Sequence, residues 1–212
     1  MLTIAVANLK GGCGKTTLST NLAAVYARAG LRTVLVDADR QRCAAGWVES
    51  RADSLPLIEV SIVDRDEIEV PKKSLYAVID APAGLRRKEI EAIAAVADIV
   101  LVPVGPSSFD EAGTVRFLEA LAEAKAVRKA RTRVALVANR VRPRTAALTR
   151  LNTFLGSTGF PVVGQLSESL IYANAAATGC GLVDLPGKKH AKLIEEWKPL
   201  LAWINLVITE ND

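Results

Sequence analysis

Leu9-Lys10-Gly11-Gly12-Cys13-Gly14-Lys15-Thr16-Thr17 follows the apolar run Leu2-Thr3-Ile4-Ala5-Val6-Ala7 and leads into a segment with Leu18, Leu22, Val25 and Tyr26 on one helical face. Strand, glycine-rich turn and helix form the setting in which a Gly-Lys-Thr sequence becomes a phosphate site. Gly11, Gly12 and Gly14 let backbone N–H groups close around phosphate oxygens, and the helix N-terminus adds partial positive charge. Lys15 is expected to neutralise the β- and γ-oxygens and the Thr16 hydroxyl to face a magnesium ion. Cys13 and Thr17 complete the nucleotide-binding loop, Cys13 as a small side chain whose thiol could report occupancy. The general pattern begins with glycine; here Leu9 stands in that place and a second lysine, Lys10, follows it.

Outward from this loop, the chain alternates apolar runs with helical periods. Strands are expected over Arg32–Asp37, Leu57–Val60, Leu75–Asp80, Ile99–Val104, Val134–Asn139 and Pro161–Gly164. Helices are expected over Ala44–Arg51, Arg86–Ala97, Asp110–Arg128, Ala146–Leu155, Glu168–Ala177 and from about Lys188 towards Ile208, with Asp64–Lys73 polar and irregular. This order predicts one α/β domain over 1–212, with a mostly parallel twisted sheet and helices on both faces. A chain of 212 residues, 50% hydrophobic, suits one full core.

Three strand ends carry polar groups where a parallel sheet places ligands: Asp39, Asp80 and Asn139. Asp80, after four apolar residues, fits the magnesium-side carboxylate of a P-loop NTPase, directly or through water. Asp39 is a carboxylate suited to polarise attacking water and, less directly, to hold the metal. Asp37 reads equally well as a capping group bonding local N–H groups.

KGGCGKTT, the strand ending Asp37-Ala38-Asp39 with Gln41 two residues on, the segment Ile79–Gly84, the run Val102–Ala112 and the strand ending in Asn139 together resemble the ParA/MinD family of deviant Walker-A ATPases. The resemblance covers essentially the whole chain and is nearest to small partition-type ParA proteins. It implies an ATP hydrolase with ATP and Mg2+ as ligands. Two ATP-bound subunits would face each other, and Lys10 would reach the partner's phosphates. Lys15 and Thr16 would be phosphate and magnesium ligands, Asp39 the hydrolytic carboxylate, Asp80 the Walker B acid, and Asn139 a contact of the adenine edge. The resemblance further implies non-specific DNA as a partner, a ParB-like or other adaptor that stimulates hydrolysis, and a cargo that is a plasmid, a chromosome locus or a protein assembly. The chain departs from the family pattern at Arg40, at Ala83 and in the loop Gly164–Glu168, where prolines are common.

Between Lys125 and Arg150 nine basic residues occur with no acidic one. Arg128, Arg140, Arg142 and Arg144 are the candidates there for a DNA backbone, an attraction that needs no base reading. Cys13, Cys43 and Cys180 are isolated from one another, and His190 is the single histidine, which argues against a disulfide framework, an iron–sulfur pair and a histidine zinc site. With no leader-like n-region or apolar span, a cytoplasmic protein is expected, nucleoid-associated in its ATP state. The stretch Trp197–Ile208 could be an amphipathic membrane helix of the MinD kind, but its acidic end at Glu210-Asn211-Asp212 favours packing on the sheet and no membrane partner. A metabolic or redox enzyme of the same superfamily is the remaining alternative.

Overall fold

The computed structural model describes residues 1–71 and 75–211; of the polar stretch expected over Asp64–Lys73, Lys72 and Lys73 lie outside them. In chain order the elements are β1 (Leu2–Val6), α1 (Lys15–Arg28), β2 (Thr33–Asp37), α2 (Cys43–Glu49), β3 (Glu59–Ile62), β4 (Tyr76–Asp80), α3 (Arg87–Val96), β5 (Ile99–Val104), α4 (Ser108–Glu123), α5 (Lys125–Arg128), β6 (Arg133–Val141), α6 (Ala146–Ser157), β7 (Val162–Ser167), α7 (Leu170–Ala176) and α8 (Ala191–Asn211). The seven strands form one sheet in the order β3-β2-β4-β1-β5-β6-β7. Every ladder between them is parallel.

Alternation along the strands divides the core between the two faces. Ala5, Val34, Val36, Val100, Val102 and Val104 pack beneath α3, α4 and α6 with Phe117, Leu121 and Leu151. Ile4, Val6, Leu35, Ile99 and Leu101 point to the opposite face, where Leu18 and Leu22 of α1 and Trp197, Leu200, Ile204 and Val207 of α8 cover them. Each of those four α8 side chains is buried, at roughly 1.5–3 kcal/mol apiece. The apolar stripe of the C-terminal helix is thus engaged by the sheet. No helix among the described residues is long and apolar enough to cross a membrane.

Local chemistry sets the boundaries. α1 ends in a Schellman turn: Gly30 takes φ +78°, Leu31 N–H donates to the Tyr26 carbonyl and Gly30 N–H to that of Ala27. The single helix expected over Asp110–Arg128 is two. It begins earlier, because the Ser107 hydroxyl caps Phe109 N–H, and it breaks at Ala124, whose φ −61°, ψ 132° is extended. That break turns α5 so that Ala126 enters the core. The strand expected at Leu57–Val60 lies two residues later as β3, and a 3-10 turn at Leu182–Asp184 has no counterpart in the sequence reading. Asp184 there accepts both Arg51 guanidinium nitrogens, at 2.7 and 3.2 Å, and both side chains are nearly fully buried. This pair ties the end of α2 to the chain after α7.

Glu89 closes the start of α3. Its carboxylate accepts from Arg86 N–H and Nε and from Arg65 Nε and Nη2. Burial by itself would raise its pKa, but the Arg65 hydrogen bonds and the Arg86 N–H outweigh burial and hold it at about 2. A carboxyl depressed in the fold stabilises above its ordinary value near 4.5, and that stabilisation is lost as pH falls from there towards 2. Thermal melts from about pH 5 to about pH 2 are therefore expected to fall more steeply for the native chain than for Glu89→Gln. Parallel curves would remove Glu89 from the account of acid stability.

Candidate functional site

Because the sheet is parallel, the turns after β1, β2, β4, β5, β6 and β7 all gather at its carboxyl edge. The glycine-rich loop lies in their midst and is pinned at both sides. Asn8, fully buried, donates from Nδ2 to the Pro103 carbonyl at 2.9 Å and to Thr114 Oγ1 at 3.0 Å, while its Oδ1 accepts Lys10 N–H at 3.4 Å. Gly84 N–H, in the turn after β4, donates to the Leu9 carbonyl at 2.9 Å. Gly12 and Gly14 sit at φ +78° and +94°, where any side chain is strained.

The Lys10 carbonyl is the focus of the loop. Lys15, buried along its stem, donates Nζ to it at 3.1 Å, and Cys13 Sγ lies 3.2 Å away. The Lys10 and Thr17 side chains are exposed, as are Gly11 and Gly12. Burial pushes the Cys13 thiol above its ordinary pKa, so it packs the loop as an inert group and makes a poor reactive probe.

Asp80 fulfils the geometry expected of it. Its Oδ2 accepts Thr16 Oγ1 at 2.7 Å and its Oδ1 accepts Ser19 Oγ at 3.1 Å. Burial drives its pKa up to about 7 despite both hydroxyls, with neighbouring Asp37 adding to the rise. A buried carboxylate bracketed by hydroxyls and lacking a close cation matches the donor set of a hard divalent ion. Magnesium therefore fits Thr16 and Asp80. Asp37, also fully buried, bonds Asp39 N–H at 3.0 Å and Ala45 N–H at 2.9 Å, which is the capping role. Asp39 stands at the rim, with Oδ1 holding Gln41 N–H at 3.0 Å.

Asn139 is placed differently from the expectation of an adenine contact. Its Nδ2 donates to the Cys13 carbonyl at 2.8 Å, so the amide braces the loop. It also lines a cleft of about 620 Å³ with Gly14, Thr17, Ser167, Tyr172 and Trp197, a volume suited to a nucleoside. Tyr172 OH accepts Trp197 Nε1 at 3.0 Å, and Glu196 of α8 holds Ser167 through its N–H and hydroxyl.

The arginines expected to form one basic surface are separated. Arg140 and Arg142 stand over the cleft, where Glu168 accepts Arg142 Nε at 2.6 Å and Arg140 Nη2 at 3.4 Å. Arg140 Nη1 also reaches the Gly12 carbonyl at 3.0 Å. Arg144 is exposed in the same edge loop. Arg128 ends α5, at the other end of β6, a nine-residue strand that spans about 30 Å. Sequence order had grouped residues that the strand holds apart.

Residues 4–182 match the CobQ/CobB/MinD/ParA nucleotide binding domain. The chain belongs to this family. It is 32% identical over 195 residues to Maintenance of carboxysome distribution protein A of Halothiobacillus neapolitanus, spanning 86% of this chain and 87% of that protein. Septum site-determining protein MinD of Synechocystis is 26% identical over 209 residues, 78% of this chain and 75% of that one. Among solved structures, the Cyanothece McdA complex with ATP has the same fold, with a TM-score of 0.73 at 16% identity over 94% of this chain and 96% of that one. The protein is an ATP-binding ATPase of the ParA/MinD type.

Within that family site the sequence reading had passed over Asn8, Ser19, Asp110 and Glu168. Asn8 and Ser19 are common residue types in apolar or helical surroundings, and their roles emerge only from partners more than 60 residues away. Glu168 carried a signal in retrospect, as the first acid after a long run of arginines.

Proposed function

We propose that this ATPase works as an ATP-dependent sandwich dimer that binds DNA non-specifically and couples hydrolysis to the positioning of a cargo. The observation that carries the reading is the pair of loop lysines. Lys15 is buried and bonded inside the loop, whereas the Lys10 side chain projects free of it. A second cation that its own loop does not engage is suited to a partner's γ-phosphate, and this ties subunit contact to the nucleotide state. A protein assembly of the carboxysome kind is the favoured cargo, since the relative of that name aligns along most of both chains. A protein adaptor that stimulates turnover completes the cycle.

In the reaction, Lys15 and the loop N–H groups bind and orient the phosphates. Asp39, whose Oδ2 takes no hydrogen bond from the described residues, polarises the attacking water. Thr16 and Asp80 would hold magnesium, which supplies charge stabilisation to the phosphate oxygens when bound. Arg140, Arg142 and Arg144, at the same edge, provide a phosphate-backbone contact that the nucleotide state can alter.

Sizing chromatography and DNA gel shifts with ATP, with ADP and without nucleotide test this. The native chain is expected to dimerise and retain DNA only with ATP. Lys10→Ala is expected to bind ATP, stay monomeric and lose DNA retention, and Arg142→Ala/Arg144→Ala to dimerise but bind DNA weakly. Equal DNA retention in every nucleotide state would sink the coupled switch.

A further inference from the structure

Asp110 lies in the first turn of α4, and Gly113 and Thr114 share its helix face one turn on. A Cβ added at Gly113 would lie 3.7 Å from the Lys10 Cβ, so this face of α4 packs directly on the exposed loop lysine. On its other side the Asp110 carboxylate closes against Gly105, where a Cβ would come within 2.7 Å of Oδ2. The contact is keyed by buried hydrogen bonds. Thr114 Oγ1 donates to the Asp110 carbonyl at 2.7 Å and accepts from Asn8 Nδ2 at 3.0 Å, and Asn8 Oδ1 accepts Lys10 N–H at 3.4 Å. Thr114 and Asn8 are both fully buried. An unbroken chain of bonds therefore fixes the backbone of Asp110 relative to that of Lys10.

The charges around Asp110 are few. Its neighbour Glu111 is engaged by Arg150 at 3.0 Å, and Arg140 is engaged by Gly12 and Glu168. No side chain among the described residues hydrogen-bonds the Asp110 carboxylate or pairs with it within 4.0 Å. Burial raises its pKa, and the charges of Lys10 and then Arg140 oppose the rise. Lys10 is thus the cation left to it.

We propose that Asp110 is the counter-charge of Lys10 within one subunit, a positioning residue that holds the ammonium over its own chain until a partner's phosphates compete for it. This rests on the dimer reading above and adds its threshold: Asp110 opposes release of Lys10, so it sets how much ATP the dimer needs. The Asn8–Thr114 pair keeps the carboxylate in range of the loop.

The test is an ATP titration of the full chain followed by sizing chromatography, with melting temperatures confirming that each variant folds. Asp110→Asn is expected to lower the ATP concentration at half-dimerisation by about twofold to fivefold, the scale of a partly exposed charge pair. Asp110→Glu is expected to stay near the native midpoint, as is Glu119→Gln, which removes a charge farther along α4. A fluorescent ATP analogue then measures nucleotide affinity in the monomeric Lys10→Ala background, with and without Asp110→Asn, and equal affinities are expected. If Asp110→Asn strengthens binding there, the carboxylate acts on the nucleotide and the proposal fails. A native chain that dimerises with a midpoint unmoved by Asp110→Asn overturns the proposal alone. A native chain that never dimerises overturns the dimer reading and this inference with it.

Discussion

Replacing Asp80 with Asn is expected to raise the melting temperature of the nucleotide-free protein and to abolish most of its ATP turnover. The carboxyl is 1% exposed, and its hydrogen bonds come from the two hydroxyls of Thr16 and Ser19. Burial raises its pKa from 3.8 to about 7. A carboxyl raised in the fold favours the protonated native state, so its benefit is present below about 3.8 and is lost as pH rises through 7. Near neutrality the native chain therefore carries a buried charge that Asn would not carry. A gain of about 1–2 kcal/mol corresponds to roughly 2–8 °C for a chain of this size. The gap between variant and native melts should widen as pH rises from about 4 to about 8. Turnover should fall by about a hundredfold or more, the scale of losing one preorganised charge at a phosphoryl-transfer site. Calorimetry and phosphate release measure the two effects. A variant that melts lower than the native chain at neutral pH, or hydrolyses ATP at its rate, overturns the assignment.

The opposition of those two effects explains why this edge of the fold was legible in the sequence. Asp80 ends a strand of four apolar residues and ionises poorly where it stands; such a residue has no reason to be there as packing. The glycine loop is legible for a similar reason, since Gly12 and Gly14 occupy backbone conformations that other residues resist. The alternation of apolar strands and helices sufficed for a parallel sheet covered on both faces. The break at Ala124 was not legible, because alanine is a good helix former and only the burial of Ala126 against the sheet turns the chain there. The placement of Arg128 failed for a different reason: a strand carries neighbours in sequence to opposite ends of the sheet.

The turns at this edge do not act singly. Gly84 holds Leu9, and Arg65 holds both the Gly84 carbonyl, at 2.9 Å, and buried Glu89. The turn after β4 is thereby tied to the loop on one side and to α3 on the other. Asn8 and Thr114 do the same between the loop and α4. A change in the loop's contents therefore has two hydrogen-bonded routes to the helices that flank it.

Gly14→Ala tests how tightly the loop is built, and a loss of nucleotide affinity of at least about tenfold is expected, with a lower melting temperature. Two separate penalties act at this position. The residue has φ +94°, which costs an L side chain about 1–2 kcal/mol. A Cβ there would also overlap the Asn139 amide nitrogen, which holds the Cys13 carbonyl. The methyl group must displace that amide, leaving a buried carbonyl unpaired at about 1–3 kcal/mol, or shift the start of α1. Asn139→Ala removes the overlap but not the backbone strain, and it forfeits the same hydrogen bond. The two substitutions should therefore be non-additive: the double variant should melt close to Gly14→Ala alone, well above the sum of the separate losses. Melting curves and fluorescent-ATP titrations of the four proteins give the cycle. Strict additivity would mean that Asn139 and the loop do not share this contact, and the brace on the phosphate loop would have to be sought elsewhere.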